Sequence, residues 1–434
     1  MKKVLIITYY WIPSGGSGVQ RWVKFTKYLR DFGWEPIIYA PENPEYPALD
    51  QSFEKDIPQD ITVIKTPIWE PYNVYRNLMG KKGEPINAGF ISEGKAGTWK
   101  DKLSIWIRGN FLIPDPRRFW IKPSVRFLCK YLKENSVNAV ISTGPPHSMH
   151  MIALGLKKKF PDLPWIADFR DPWTNIDFYD DLHLTKLADY IHHKQEKKVV
   201  QATDCLVSVS RTCISDFIEL QPKKTKIITN GYDAEDITDI KNQLDNSFSI
   251  SHIGLLNAAR NPQTLWKVLG ILCTENADFK SDLQIQLIGK IDFSVPESIR
   301  KNGLNDCLKK IDYLPHAEAI EKQQSSQLLL LLINNTQSAK GILTGKFYEY
   351  MASQRPILGI GPVDGEAADI LRQTESGTMA DFDDETAIRE AVLTFYKQYK
   401  NGMLCVESNS VAQYSRRNLT KQFAELLNEM VAAN

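Results

Sequence analysis

Long apolar runs are missing from this 434-residue chain. No stretch approaches the ~18 consecutive apolar residues that a membrane-spanning helix needs, so any meeting with a membrane is expected at its surface. Cysteine is sparse: six residues, at 129, 205, 213, 273, 307 and 405, with no C-x-x-C and no His/Cys cluster. That pattern argues against a disulfide framework and against a zinc site, and a reducing cytoplasm is the expected compartment. An excess of one charge is absent too. The net charge of +1 offers no field for nucleic acid. No Asp-x-Asp pair stands in a suitable place for a metal, and Asp180-Asp181 and Asp383-Asp384 are adjacent pairs in polar stretches that read as loops. Internal repeats and low-complexity tracts are also lacking. The opening Met1-Lys-Lys-Val-Leu-Ile-Ile-Thr8 has a short apolar core and no small-residue cleavage site after it, so it reads as a first β-strand rather than a signal peptide.

What is present is a regular alternation of short apolar runs and helical stretches, in a chain too long for one ordinary core. A strand is expected over Lys3–Thr8, then a loop from Trp11 to Gly18, then a helix in which Trp22, Phe25, Leu29 and Phe32 form one stripe, with Gly33 as its C-cap. Further strands are expected at Glu35–Ala40, Ala139–Ser142, Trp165–Asp168 and Cys205–Ser210, and then at Phe248–Ile253, Leu283–Ile288, Leu328–Ile333 and Ile357–Ile360. Strand, helix, strand at this spacing argues for parallel sheets with right-handed crossovers. The expected fold class is α/β: two doubly wound Rossmann-like domains with a cleft between them. The first domain is placed at residues 1–234, completed by a C-terminal helix at about 415–434, and the second at 235–414, entered through a polar linker over 235–247. Residues 69–125 break the alternation. They mix Trp69, Tyr72, Trp99, Trp106, Phe111, Phe119 and Trp120 with Lys100, Lys102, Arg108, Arg117, Arg118 and Lys122. Aromatic plus basic is the composition of a membrane-interface or acceptor-binding element, although aromatics packed on the domain give the same composition.

One segment says more than any other: Gly341-Ile-Leu-Thr-Gly-Lys-Phe-Tyr-Glu-Tyr-Met-Ala-Ser-Gln-Arg-Pro-Ile-Leu358. It lies between two apolar runs, giving the order buried strand, glycine-bearing loop, short helix, buried strand. The loop sets free backbone N–H groups, from Thr344 and Gly345 onward, at a helix N-terminus that favours an anion. Lys346 adds a full charge. Glu349, one turn on, can accept from two neighbouring sugar hydroxyls. Phosphate cradle plus hydroxyl acceptor suits a sugar nucleotide. The bland reading of Glu349 is a solvated helix carboxylate paired with Lys346 at i, i+3.

This segment resembles the donor-site motif of retaining glycosyltransferases of family 4, which have the GT-B fold. Glu349-Tyr350-Met351-Ala352 followed by Arg355-Pro356-Ile357 fits the pattern in which the glutamate binds the nucleotide ribose. The family's usual second glutamate, eight positions earlier, is Gly341 here. The resemblance extends to the loop Ser14-Gly-Gly-Ser-Gly-Val-Gln-Arg21, whose Gly15, Gly16 and Gly18 are expected to approach donor phosphates. As a dinucleotide fingerprint this loop is incomplete, since Arg21 replaces the third glycine, but Glu42 lies near the expected acidic position, so a nicotinamide site stays as an alternative. His147, and after it His150, in Ile141-Ser-Thr-Gly-Pro-Pro-His-Ser-Met-His150, match a histidine that touches the donor sugar. Asp168 or Asp171, in Ile166-Ala-Asp-Phe-Arg-Asp-Pro-Trp173, is expected to meet an acceptor hydroxyl, and Arg170 an acceptor phosphate. Gly254 and Arg260 match a segment that clamps the donor diphosphate; the usual lysine five positions after the arginine is Leu265, so Lys346 is expected to supply the second charge. Gly289 and Tyr313–His316 match the region near the nucleotide base, and Asn230-Gly-Tyr-Asp233 an inter-domain Asn-Gly-Val-Asp.

The resemblance implies a metal-independent transferase that moves a sugar, with retention, from a nucleotide-sugar donor to a saccharide or lipid-linked acceptor. Its setting would be cytoplasmic bacterial surface polysaccharide synthesis, with peripheral contact at the inner membrane through residues 69–125. No cofactor is expected, the nucleotide sugar being a substrate. His147, Asp168, Arg260 and Lys346 are the expected catalytic residues. A sugar-nucleotide epimerase on the same fold and a non-catalytic nucleotide-sugar-binding protein remain as alternatives.

Overall fold

The computed structural model describes residues 1–46, 48–71, 99–237, 243–406 and 408–433. Tyr72 and residues 238–242 of the expected linker lie outside them. The chain divides into two compact units, Met1–Thr229 with Leu419–Asn434, and Asn230–Asn418. The expected boundary after residue 234 falls near this division.

The first unit is built on a parallel sheet of seven strands: β1 (Lys2–Ile7), β2 (Trp34–Pro41), β3 (Thr62–Thr66), β4 (Ala139–Gly144), β5 (Trp165–Phe169), β6 (Cys205–Ser208) and β7 (Thr225–Ile227), in the order β3-β2-β1-β4-β5-β6-β7. The second holds six: β8 (Phe248–Ile253), β9 (Leu283–Ile288), β10 (Leu308–Ile311), β11 (Leu328–Leu332), β12 (Ile357–Ile360) and β13 (Gly377–Ala380), in the order β10-β9-β8-β11-β12-β13. Both orders are the doubly wound one, in which the winding reverses beside the first strand. Loops leaving the carboxyl ends of the two strands at that reversal form a natural crevice for a ligand. In the first unit these are the loops after β1 and β4; in the second, those after β8 and β11.

Central strands are buried on both faces and therefore read as unbroken apolar runs. Leu328-Leu-Leu-Leu-Leu332 is buried throughout, as is Phe248–Ile253. The C-terminal helix Arg416–Ala432 contributes to the first unit's core: the Phe423 ring lies 5.3 Å from Trp22 and 4.9 Å from Phe25. No helix among the described residues is long and apolar enough to cross a membrane.

Candidate functional site

In the second unit the loop after β8 begins with Gly254 at φ +119°, a conformation that disfavours any side chain. The space its missing Cβ leaves is filled by Lys346: the lysine Nζ lies 2.5 Å from where that Cβ would stand. Lys346 comes from the first turn of the helix Gly345–Ala352, which follows β11. The two strands at the winding reversal thus bring Gly254 and Lys346 together. Lys346 has no hydrogen-bond or ion-pair partner among the described residues. Burial, with Arg260 as a neighbouring positive charge, pulls its pKa down to about 8, against a smaller upward pull from Glu349.

Three further features converge there. Thr344, at the N-cap of that helix, leaves its Oγ1 buried without a partner. Gly345 faces open space: a Cβ on it would meet nothing within 4 Å. Arg260, at the end of a 3-10 turn after β8, donates from Nε to Asn334 Oδ1 beyond β11. A helix N-terminus, an orphan hydroxyl, an ammonium and a guanidinium are together chemically able to receive an oxyanion. The Glu349 carboxylate, half-buried and one turn on, makes no ion pair with Lys346 and no hydrogen bond to any described residue, so the i, i+3 pairing that the sequence allows is not formed. Gly289, at φ +109°, packs behind: a Cβ there would stand 3.0 Å from Gly254 O. Leu265, where a second cation was sought, is fully buried in the helix Gln263–Glu275.

Sequence reasoning gave no role to His252. It lies in β8, one residue before its end, fully buried, its Nδ1 3.0 Å from Leu330 O, which makes Nδ1 the protonated nitrogen. Burial and Lys346 hold its pKa near 3, so it stays neutral.

In the first unit the expected residues separate into those that face a ligand crevice and those that do not. Asp168 does not. It is fully buried; its Oδ1 accepts from Arg21 Nη2 at 2.9 Å, and its Oδ2 from Trp22 Nε1 at 2.8 Å, Thr143 Oγ1 at 3.0 Å and Arg21 Nε at 3.2 Å. Burial alone would raise its pKa, but the Arg21 charge and these hydrogen bonds keep it below its ordinary value. The expectation that Asp168 meets an acceptor hydroxyl is corrected: the carboxylate is fully buried and already accepts four hydrogen bonds inside the unit. Arg21, also fully buried, reaches on to Ile228 O and Thr229 O, both at 2.8 Å. Gly15 is likewise turned inward, its N–H donating to Ala48 O at 2.9 Å and its missing Cβ facing Asp50 at 3.2 Å, so its expected approach to a ligand is also corrected.

Gly16, at φ +93°, has open space where a Cβ would be, and it caps the helix Ser17–Leu29. Gly18 leaves room for Arg170: a Cβ there would stand 2.8 Å from Arg170 Nη1. Arg170 donates to Pro145 O from Nη2, and its backbone N–H to Gly144 O at 2.9 Å, while its Nε is buried without a partner. Asp171, beside it, is exposed. The loops after β1, β4 and β5 therefore meet at Arg170.

His147 caps the helix Ser148–Lys157, which Asp115 holds by accepting from Ser148 N at 2.8 Å and Ser148 Oγ at 2.9 Å. The His147 ring stacks on Trp173 at 4.5 Å and is only 8% exposed. Trp173 is fixed in turn by donating to His192 Nδ1 at 3.3 Å, and Glu196 holds the next residue, Thr174. Trp173 was visible in the sequence as part of a charged strand end; its partners His192 and Glu196 were not, since a helix 20 residues later gives no local sign of them.

No family model and no curated protein matches the chain. Among solved structures it is similar to sucrose-phosphate synthase from Thermosynechococcus elongatus, at 12% identity and TM-score 0.63 over 100% of both chains. It is similar to WaaG, a glycosyltransferase involved in lipopolysaccharide biosynthesis, at 12% identity and TM-score 0.55, over 98% of this chain and 99% of that one. A putative UDP-N-acetylglucosamine 2-epimerase from Listeria monocytogenes matches at 9% identity and TM-score 0.56, over 100% and 98%. At such identities the likeness is one of fold: two Rossmann-like α/β domains of the GT-B type.

Proposed function

We propose that the protein is a metal-independent glycosyltransferase resembling family 4, which takes a sugar from a nucleotide-sugar donor held by the second unit. The observation that carries this reading is the unpartnered Lys346 ammonium packed into the space over Gly254, beside the orphan Thr344 hydroxyl and the unpaired Glu349. A diphosphate would take Lys346, Arg260 and the helix N-terminus, and the nucleotide ribose would take Glu349. In the transition state the same cations offset the charge growing on the leaving diphosphate. Asp168, the carboxylate at the end of β5, is consumed internally and is not poised as a covalent nucleophile. Retention would then follow from attack on the donor's own face, as in family 4. Arg170, reached from Gly18, suits a phosphate or hydroxyl of the acceptor in the first unit.

The acceptor is proposed to be a saccharide or lipid-linked species of bacterial surface polysaccharide synthesis. The helix Trp99–Phe111 supports a peripheral contact: Trp99, Leu103, Ile107 and Phe111 recur at four-residue intervals, so they share one stripe, and all are exposed. Lys102, Arg118 and Lys122 are exposed nearby in sequence, which suits an anionic lipid surface.

The deciding experiment is thermal stability against UDP, GDP, dTDP, CDP and NAD, for wild type and Glu349→Ala. A ligand at 100 times its Kd adds ~2.7 kcal/mol. A shift with one nucleoside diphosphate, reduced in Glu349→Ala, supports the donor site and names the base. A shift with NAD alone refutes it. Conversion of a free nucleotide sugar without acceptor would assign the epimerase reading instead.

A further inference from the structure

No hydrogen bond among the described residues holds the His147 ring; flat neighbours do. Trp173 covers it at 4.5 Å with the two planes 2° apart. Phe169 and His150 lie further off, at 5.8 and 5.7 Å, and are tilted against it by 31° and 32°. The Trp173 indole is therefore the face that defines the plane of this imidazole.

The indole is itself tethered. It is buried, and its Nε1 donates to His192 Nδ1 at 3.3 Å. His192, buried too, has its other nitrogen, Nε2, 3.3 Å from Gly109 O. A carbonyl can only accept, so Nε2 carries the hydrogen and Nδ1 keeps the lone pair that Trp173 needs. Burial lowers the pKa of His192, against the upward pull of Gly109 O, Asp115 and Asp189, and keeps the ring in that neutral form at pH 7. Gly109 lies in the last turn of the helix Trp99–Phe111, which also carries the exposed apolar stripe. That turn is locked to the chain before the helix Lys186–Ala202. A Cβ on Gly109 would stand 2.6 Å from Leu184 Cδ2, and Asn110 Oδ1 accepts from Thr185 N at 2.7 Å. A second tie runs from the same stretch: Asp115, just beyond the helix, holds Ser148, the neighbour of His147.

We propose that Trp173 and His192 are positioning residues for His147, and that the end of the helix Trp99–Phe111 is the support on which they rest. Gly109 O orients His192, His192 orients Trp173, and Trp173 sets the plane of the His147 ring. Every step is a contact between buried groups of the first unit. For a side chain that acts on a bound sugar, a misplacement of ~1 Å costs on the order of 10²-fold in rate. The aromatic stretch that breaks the strand–helix alternation thus frames His147, whatever its outer face meets. The use of His147 at the sugar rests on the transferase reading; the ring positions do not.

The test is proton–carbon correlation at pH 7 on the full chain carrying ring-13C histidine, which gives separate signals for the seven histidines. Protons over the face of an indole are shielded, so the His147 signals, assigned by their loss in His147→Gln, should lie upfield. In Trp173→Leu that displacement should vanish. Trp173→Phe keeps a ring but has no N–H to give, and His192→Phe removes the acceptor. In both, the His147 signals should broaden or divide as the stacked ring loses its tether. His192→Asn, whose Oδ1 takes the place of Nδ1 as acceptor, should restore the wild-type position. A role confined to stability would lower the unfolding midpoint of these variants and leave the His147 signals of the folded protein alone, which overturns the proposal. An unshielded His147 in the wild type overturns it as well. If His192→Phe does not fold, Trp173→Phe and His192→Asn decide it. With the nucleotide sugar that the thermal panel identifies, Trp173→Phe should lower kcat and leave the donor KM unchanged; a rise in KM alone overturns the role at the sugar. A failure of all nucleoside diphosphates in that panel would refute the donor site while leaving the ring positions as they are.

Discussion

Lys346 occupies the space that a side chain on Gly254 would fill, its Nζ 2.5 Å from the missing Cβ. The positive charge and the glycine are one device: the first can sit at the end of β8 only because the second has nothing there. Gly254→Ala should therefore do two things. It strains a backbone at φ +119° by about 1–3 kcal/mol, and it pushes the ammonium away from the anion site. Calorimetry with the nucleoside diphosphate identified by the thermal panel should show at least tenfold weaker binding, together with a lower unfolding midpoint.

Lys346 also makes binding depend on pH in a predictable direction. Its folded pKa of about 8 lies below the ordinary 10.5. The folded protein thus holds the charged form at a cost that disappears as pH rises from about 8 toward 10.5, so the wild type gains stability over that range relative to Lys346→Met. A diphosphate prefers the charged form, so affinity should be flat below pH 7 and weaken above 8, by up to about tenfold per pH unit. Lys346→Arg, always charged, should bind without that slope. Titration calorimetry at four pH values decides it.

Glu349 has no partner to lose, so Glu349→Gln should leave the unfolding midpoint nearly unchanged. Binding is where the cost should appear. Hydrogen bonds to a charged acceptor are worth about 1.5–3 kcal/mol each, so the nucleoside diphosphate should bind at least tenfold more weakly. The 2′-deoxy ligand should bind wild type as poorly as the ribose ligand binds Glu349→Gln, and a mutant that still distinguishes the two would remove the ribose contact.

Asp168 predicts the opposite pattern. Asp168→Asn leaves Arg21 charged, buried and short of its counter-ion, at a cost of about 3–5 kcal/mol. The carboxyl pKa is depressed in the fold, so its contribution is present above the ordinary value near 3.8 and is lost as pH falls through the lower folded value. Urea unfolding should show the loss at pH 7 and a smaller difference between wild type and mutant once the pH falls through the lower folded value. Nucleoside diphosphate affinity in the second unit should not change.

The exposed stripe of the helix Trp99–Phe111 gives a surface prediction. Leu103→Glu with Ile107→Glu should reduce cosedimentation with vesicles rich in anionic phospholipid several-fold at low salt and leave thermal stability unchanged. Equal binding of mutant and wild type would dissociate the stripe from lipid.

The sequence announced the strands of both sheets wherever burial on two faces demanded an apolar run, from Lys2–Ile7 to Ile357–Ile360. It did not announce β3, β7, β10 or β13, the four edge strands of the two sheets. Leu308-Lys-Lys-Ile311 keeps its two lysines exposed, and the pattern dissolves. At the site, Gly254, Lys346 and Glu349 were legible because a glycine, a lysine and a glutamate after apolar runs have few other reasons to be there. Their mutual arrangement was not: i, i+3 spacing permitted a Lys346–Glu349 pair, and only the close approach of β8 to the helix shows the ammonium going to Gly254 instead. Asp168 was misjudged because its partner Arg21 lies 147 positions away. One local sign existed, a charged residue set among Val19, Trp22 and Phe25 on a helix that otherwise presents them to the core.

Gly254 and Gly289 carry a consequence for how this protein can change. Both hold left-handed backbone, and a Cβ on the second would press 3.0 Å from the carbonyl of the first. Neither position can accept a side chain without moving the other or Lys346, so the floor of the proposed phosphate site is closed to mutational exploration. Variation in what the site accepts must enter from its rim, through the segment from Asn334 to Thr344 and the turn that carries Leu255 to Arg260. A library randomised over those residues should yield altered donors, whereas one that includes the two glycines should return them unchanged among all its active members.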